Sequence, residues 1–173
     1  MTFKWHKKAS EQGYDEAQHN LAKCYYNGFG TEVNTEKAFE WCEKAAEQDN
    51  EKAQLLVADF YEKGIGVEPN KQKAFEWHKR AGKSEFASTE AQNLLAICYF
   101  NGRGTAKNIE KAIEYYKKSA ERNDDFAQFV LGRCYLKGYG IEKNEVEGFK
   151  LLMKSAKQGN EEAADWLKEH GLS

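Results

Sequence analysis

One six-residue stretch, in which a tyrosine is followed by two glycines, occurs four times in the chain. Its copies are Tyr25-Tyr26-Asn27-Gly28-Phe29-Gly30, Tyr61-Glu62-Lys63-Gly64-Ile65-Gly66, Tyr99-Phe100-Asn101-Gly102-Arg103-Gly104 and Tyr135-Leu136-Lys137-Gly138-Tyr139-Gly140. The first glycines of successive copies are 36, 38 and 36 residues apart. A repeat of this length is typical of solenoid proteins, in which each unit buries its apolar face against its neighbours. The spacing therefore predicts an architecture, and it carries no catalytic chemistry.

An amphipathic helix, here called helix A, is predicted before each pair of glycines. Small and apolar residues recur in it three and four residues apart, which places them on one face of a helix with 3.6 residues per turn. Cysteine and phenylalanine share one of these positions, so Cys24, Cys98 and Cys134 are predicted to be core residues like Phe60. The predicted buried positions are Ala17, Leu21, Ala22, Cys24 and Tyr25; Ala53, Val57, Ala58, Phe60 and Tyr61; Ala91, Leu95, Ala96, Cys98 and Tyr99; and Ala127, Leu131, Gly132, Cys134 and Tyr135.

A second helix, helix B, is predicted after each pair of glycines. One or both glycines are expected to take a positive φ angle and end helix A. Four residues later stands an asparagine, a good N-cap residue, at positions 34, 70, 108 and 144. The glycine pair is not read as a nucleotide-binding loop, because no strand precedes it and a third glycine is missing. The predicted fold is all-α: a right-handed α-solenoid of stacked antiparallel helix pairs, with about ten helices.

The chain is predicted to be one domain, residues 1–173. Its parts are a partial unit at 1–14, repeats at about 15–50, 51–88, 89–124 and 125–160, and a C-terminal capping helix at 161–173. Phe3-Lys4-Trp5 matches Phe39-Glu40-Trp41, so the chain opens in helix B. Two interpretations follow: a fragment of a longer repeat array, or weak end-to-end self-association that covers Phe3 and Trp5. In the irregular segment before the third repeat, Phe86 is predicted to tuck under the turn as a lid on the core, with a binding role as the alternative.

The third unit, from Ala91 to Ala120, resembles the Sel1-like repeat, a relative of the tetratricopeptide repeat. The order that carries the resemblance is Ala-x3-Leu-Gly-x2-Tyr-x2-Gly-x-Gly-x3-Asp-x2-Lys-Ala; asparagine replaces aspartate at the cap, and alanine replaces the glycine after the leucine in three copies. The resemblance covers almost the whole chain. It implies a protein–protein interaction scaffold or adaptor that binds a peptide or protein segment in the concave groove of the solenoid.

The resemblance also raises an enzymatic alternative, a β-lactam hydrolase or penicillin-binding protein of the cysteine-rich Sel1-like type. Members of that type place paired cysteines where this chain has Ala46 and Ala53, and no Ser-x-x-Lys motif occurs. The four histidines are scattered over different repeats, and carboxylates are not clustered. The chain is therefore expected not to be an enzyme and to need no cofactor or metal.

The predicted binding residues are those that helix A does not use for its core stripe. In the third and fourth repeats they are unusually apolar, and clustered exposed apolar residues mark interaction surfaces, where aromatic residues and arginine are the common anchors. The alternative is that curvature of the solenoid buries some of them between repeats. The predicted set is Tyr26, Asn27, Leu55, Asn93, Ile97, Phe100, Asn101, Phe126, Phe129, Arg133 and Leu136.

Composition argues against other partner classes. The net charge is −2 with both signs interspersed, so no basic stripe points to nucleic acid. No apolar run approaches the roughly 20 residues of a membrane-spanning helix, so no membrane insertion is expected. The first residues lack the apolar segment of a secretory signal. The default expectation is a cytoplasmic protein, unless the chain is part of a secreted or periplasmic one.

Overall fold

The computed structural model describes residues 2–171 of the chain. Within this range the backbone forms ten α-helices and no β-strand, which confirms the predicted all-α class. Helix B comes first, and helices B and A then alternate. The helices are α1 (Thr2–Glu11), α2 (Asp15–Asn27), α3 (Thr35–Glu47), α4 (Glu51–Lys63), α5 (Lys71–Gly82), α6 (Thr89–Asn101), α7 (Ile109–Glu121), α8 (Asp125–Lys137), α9 (Glu145–Lys157) and α10 (Glu161–Glu169).

The predicted asparagine caps begin helices α3, α5, α7 and α9. In each case the side-chain oxygen accepts a hydrogen bond from the backbone amide three residues later, at 2.8 to 3.0 Å. The cap satisfies one of the amides that the first turn of a helix leaves without a partner. The backbone amide of the same asparagine donates to the carbonyl of the loop tyrosine, as from Asn34 to Tyr25 at 2.9 Å. This bond closes the loop between helices A and B.

Both glycines of every loop have a positive φ angle, between 65° and 74°. The first glycine ends helix A in the left-handed conformation, and its amide donates to the carbonyl four residues earlier. The second glycine has an additional role that the sequence did not indicate. A Cβ atom at Gly66 would collide with the backbone carbonyl of Thr35, and one at Gly140 would collide with the side chain of Ile109. The loop of one repeat therefore packs against the start of helix B in the repeat before it.

The chain divides into two compact units, with the boundary between Ala87 and Ser88. In the first unit, each helix from α1 to α5 packs on the next one along the chain. Its core is built around Leu21, Val57 and Phe60, which are fully buried. In the second unit, the helices from α6 to α10 pack in the same sequential way, and Leu131 and Leu152 belong to its core clusters.

The predicted core stripe of helix A is buried in all four repeats, apart from one half-buried residue, Tyr135. In the other three repeats, a lysine ammonium from the first turn of helix B lies 5.1 to 5.5 Å from the centre of the matching tyrosine ring. Glu147 stands at that lysine position in the fourth repeat and pairs with Lys150. Among the described residues, Tyr135 therefore lacks the cation that lies over its counterparts.

A row of buried glutamines was missed in the sequence. The dipeptide Ala-Gln recurs in helix A, and Gln18, Gln54, Gln92 and Gln128 are all buried. In three of them the side-chain amide donates to a backbone carbonyl eight residues earlier, in the preceding helix B, at 3.2 to 3.3 Å. Gln18 and Gln128 also accept a 2.8 Å bond from a glutamine that follows the next helix B. These side chains join successive helices of a unit through polar contacts.

The prediction for Phe86 was wrong. Its side chain is 92% exposed, and the neighbouring Ala87 is buried instead. The turn explains the difference. The hydroxyl of Ser84 accepts a hydrogen bond from the backbone amide of Phe86, and the carbonyl of Ser84 accepts one from the backbone amide of Ala87. Across residues 2–171, no helix combines the length and apolar composition that crossing a bilayer would require.

Candidate protein-binding groove

The second unit contains a groove with a volume of about 590 Å³, here called the α6–α8 groove. Helix α6 forms one wall, helix α8 forms the other, and one residue each comes from α7 and from the loop after α8. The lining residues are Ile97, Phe100, Asn101, Tyr116, Phe126, Val130, Arg133, Cys134, Lys137 and Tyr139.

Helical periodicity sets the two walls. In α8 the residues Phe126, Val130, Arg133 and Lys137 are spaced by four, three and four positions, so they lie on one face of the helix. In α6 the residues that line the groove are likewise three and four positions apart. Both helices have 13 residues and end at a glycine C-cap.

Tyr116 of α7 forms the base of the groove. Its side chain is 2% exposed. Its ring lies 6.4 Å from that of Phe100 and 6.3 Å from that of Phe126, both in edge-to-face geometry. Phe100 also makes an edge-to-face contact with Tyr139 at 5.5 Å. Edge-to-face contacts are a preferred geometry of aromatic pairs, so Phe100 is held between two rings and Phe126 is held by the ring of Tyr116.

Two cations stand at the rim of the groove. Arg133 and Lys137 are both exposed, and the Arg133 guanidinium lies 5.4 Å from the centre of the Phe129 ring. Burial raises the pKa of the Cys134 thiol, while the charges of Arg133 and Lys137 oppose that shift. Burial also raises the pKa of Tyr116, with a smaller contribution from the Cys134 and Cys98 thiols. Cys134 therefore remains a neutral, poorly nucleophilic thiol at pH 7.

Five of the predicted binding residues line this groove: Ile97, Phe100, Asn101, Phe126 and Arg133. Two others were wrongly predicted to be exposed. Asn93 is buried because its side-chain amide donates to Asp124, the N-cap of α8, at 2.8 Å. Phe129 is 6% exposed because it packs in a core cluster with Leu152.

The other predicted residues lie outside the lining. Leu136 is half-buried against Gly148 of α9. In the first unit, the Tyr26 ring lies 5.5 Å from the Phe60 ring, and the Asn27 amide donates to the carbonyl of Lys23 in its own helix. Leu55 is half-buried.

The sequence prediction missed several lining residues. Cys134 was predicted only as a core residue, and Tyr116 was not singled out; both lie in the core while touching the groove. Lys137 was predicted to lie on the outer face of helix A but was left out of the binding set. Val130 lies on the same helical face as Phe126 and Arg133, so periodicity could have identified it. Tyr139 stands between the two glycines of its loop, a position whose direction depends on the loop conformation.

The four cysteines are free thiols. All four thiols are buried. The pKa of Cys42 is raised to about 12, chiefly by burial, and its thiol donates to the carbonyl of Ala53 at 3.4 Å. Among residues 2–171, no group of three or more histidine, cysteine, aspartate or glutamate side chains is arranged to hold a metal ion.

Five stretches of the chain match the Sel1 repeat model, at residues 2–14, 15–50, 51–85, 89–124 and 125–160. The chain belongs to the Sel1 repeat family. Sel1 repeats generally serve as protein-interaction scaffolds. No curated protein sequence matches the chain.

Solved structures of other Sel1 repeat proteins are similar to this chain. One is c5321, a protective antigen of uropathogenic Escherichia coli with an SLR fold, which is 31% identical over 99% of this chain with a TM-score of 0.89. Another is a Sel1 repeat protein from Oxalobacter formigenes, 35% identical over 91% of this chain with a TM-score of 0.83. The chain spans 37% and 64% of these two proteins. The fold is thus the α-solenoid of the family.

Cysteine rich protein B of Helicobacter pylori is a more distant structural relative. It is 29% identical over 78% of this chain and 98% of its own length, with a TM-score of 0.56.

Proposed function

We propose that this Sel1 repeat chain is a protein-interaction module that holds a peptide or protein segment in the α6–α8 groove. The observation that carries the proposal is a groove of about 590 Å³ in which aromatic and aliphatic side chains from two helices converge beside an arginine and an asparagine. Apolar surface left open in this way, with polar groups at its rim, is typical of interaction sites.

The aromatic side chains have the properties of binding anchors. Phe100 and Phe126 are half-buried and packed on Tyr116, so little side-chain entropy remains to be lost when a ligand binds. Asn101 is exposed at the rim, and its amide can both donate to and accept from the backbone of an extended ligand. Such rigid aromatic positions commonly dominate binding energy.

The proposal assigns no catalytic activity to the chain. The thiol nearest the groove, Cys134, has its pKa raised by burial. The two positions that carry paired cysteines in cysteine-rich Sel1 proteins are occupied by the buried alanines Ala46 and Ala53. A nitrocefin assay on the purified chain is expected to give no hydrolysis above the buffer rate. Turnover proportional to protein concentration would contradict this part of the proposal.

A peptide selection tests the groove directly. A displayed library of random twelve-residue peptides is selected on the purified chain, and enriched peptides are measured by fluorescence anisotropy. The variant Phe100→Ala/Phe126→Ala is expected to bind at least tenfold more weakly, because each ring removed costs on the order of 1–2 kcal/mol at an anchor position. Phe86→Ala is the matched control, since it removes an equally large ring that is 92% exposed and outside the groove.

A second variant separates binding from stability. Asn101→Trp places bulk at the rim of the groove on an exposed position, so it leaves the core intact while obstructing the ligand. It is expected to weaken the same peptides as the double variant does. Affinities unchanged in both variants, with thermal midpoints close to that of the wild type, would show that the ligand binds elsewhere. Failure to enrich any peptide would also overturn the proposal.

A further inference from the structure

The charge at the rim of the α6–α8 groove differs from the charge at the equivalent positions of the first unit. Arg133 and Lys137 of α8 occupy the repeat positions that Asp59 and Lys63 occupy in α4, two repeats earlier. Asp59 and Lys63 form an ion pair, with 2.8 Å between Oδ1 and Nζ, so the charge at that position is neutralised within the helix. In α8 the same two positions carry two positive charges.

The arrangement in α8 costs stability locally. Opposite charges four residues apart stabilise a helix, whereas like charges at this spacing destabilise it by a similar amount. Within the described part of the chain, neither Arg133 nor Lys137 forms a salt bridge, and no carboxylate lines the groove. A local rule that is broken without compensation inside the fold is a common sign of a functional position.

A third polar group faces the same space. The hydroxyl of Tyr116 makes no hydrogen bond within residues 2–171, and it is not among the fully buried polar atoms that lack a partner, so it keeps accessible surface where the residue lines the groove. A tyrosine hydroxyl can donate one hydrogen bond. A ligand oxygen entering the groove can accept it.

From these observations we infer that the α6–α8 groove selects acidic linear peptides, an inference that rests on the proposed function. The recognised segment carries a bulky apolar side chain that packs on Phe100 and Phe126. Aspartate or glutamate residues beside it pair with Arg133 and Lys137, and one ligand oxygen accepts from the Tyr116 hydroxyl. Carboxylates are the complement of a groove that has two cations and no anion.

The selection described above supplies the first test. Only peptides that lose affinity for Phe100→Ala/Phe126→Ala are counted as groove ligands. These are expected to carry a net negative charge and at least one aromatic or large aliphatic residue. The tightest of them is then synthesised with three replacements of its acidic residues: the isosteric amides, lysine, and phosphoserine. The amide form should bind about tenfold more weakly and the lysine form more weakly still, because two exposed charge pairs are lost or reversed.

A charge-reversal variant tests the protein side. Arg133→Glu/Lys137→Glu is expected to weaken the acidic peptide at least tenfold and to improve binding of the lysine form. Lys154→Glu/Lys157→Glu is the control, since it changes the net charge equally at exposed positions of α9 that do not line the groove. Its affinity should stay within about twofold of the wild type. Raising the salt concentration should reduce the difference between wild type and groove variant, because surface charge pairs are screened.

The outcomes separate this inference from the function on which it rests. Groove ligands that are neutral or basic, or equal affinity for the acidic and amide peptides, would overturn the acidic specificity and leave the binding module in place. The amide comparison uses wild-type protein, so it decides the question even if a variant fails to fold. Preference for phosphoserine over carboxylate would show that the cations select a phosphorylated segment, against the inference. Absence of any groove-dependent peptide would remove both proposals.

Discussion

The buried glutamine row predicts a large effect from a substitution that conserves side-chain size, Gln128→Leu. Gln128 is 1% exposed. Its side-chain amide donates to the carbonyl of Ala120 at 3.3 Å and to the side chain of Asn123 at 3.1 Å, and its oxygen accepts from Gln158 at 2.8 Å. Leucine fills a similar volume and can form none of these bonds, so the variant isolates the polar contribution.

The magnitude follows from these contacts. Each hydrogen bond contributes about 1 kcal/mol net, so three bonds amount to about 3 kcal/mol. The greater apolar surface that leucine buries offsets roughly 1 kcal/mol of this loss in unfolding free energy. Asn123 and Gln158 are exposed and can rebind water, so no further penalty is added for these two partners. We expect the free energy of unfolding to fall by about 2 kcal/mol, which lowers the thermal midpoint by about 4–8 °C for a chain of this length.

Urea unfolding followed by circular dichroism at 222 nm measures this change. Gln72→Leu is the control, because it makes the same chemical change on an exposed face of α5; its effect should stay below about 0.5 kcal/mol. Combining Gln128→Leu with Gln158→Leu should give a loss smaller than the sum of the two single losses, by about 0.5–1 kcal/mol, because they share one bond. If Gln128→Leu were as mild as Gln72→Leu, the glutamine row would not stabilise the stacking of helices.

Three further predictions concern the loops, the caps and the thiols. Gly66→Ala should lower the free energy of unfolding by more than ~3 kcal/mol, because it combines a positive φ with a clash against the Thr35 carbonyl. Gly13→Ala is the control: Gly13 also has a positive φ but nothing within 4 Å, so its loss should be only about 1 kcal/mol. Equal losses in urea unfolding would contradict the steric argument. Asn108→Ala should cost about 1 kcal/mol through the lost cap, and Asn108→Asp should restore most of it; an alanine variant as stable as wild type would show that the cap is dispensable. Cys42, whose pKa is raised to about 12, should resist maleimide at pH 8 in the folded chain and react at once in urea. Mass spectrometry of tryptic peptides measures the labelling. Rapid labelling of the folded chain would contradict the burial of this thiol.

The sign of the pH dependence of stability also follows from the thiols. A thiol whose pKa is raised in the folded state favours the protonated form there. Its contribution is fully present below the pKa of the unfolded thiol, near 9, and is lost as the pH rises above that value. Burial raises the pKa of Cys24, Cys42 and Cys134 alike. Stability should therefore decline above about pH 9.

The sequence predicted which helix faces form the candidate site, but it did not predict which residues on those faces are buried. Ile97, Phe100 and Phe126 were identified because apolar residues on the outer face of an amphipathic helix break its period. Asn101 and Arg133 were identified as an amide and a charge on the same face. The same argument placed Asn93 and Phe129 on that face, where the structure buries them. Whether such a residue is exposed depends on which neighbouring helix covers it, and periodicity within one helix does not contain that information.

The sequence by itself determined the features that arise from contacts between near neighbours in the chain. The helices, their asparagine caps and the glycine turns each depend on residues within one or two turns of backbone, and the regular spacing repeats them along the chain. The tertiary structure alone decided what depends on distant segments: the fit of Gly66 against Thr35, the bonds of Gln128 to helices on either side, and the groove in which Phe100 and Phe126 meet on Tyr116. Side-chain burial and close approach are set by the distance between packed helices, and that distance is a property of the assembled chain.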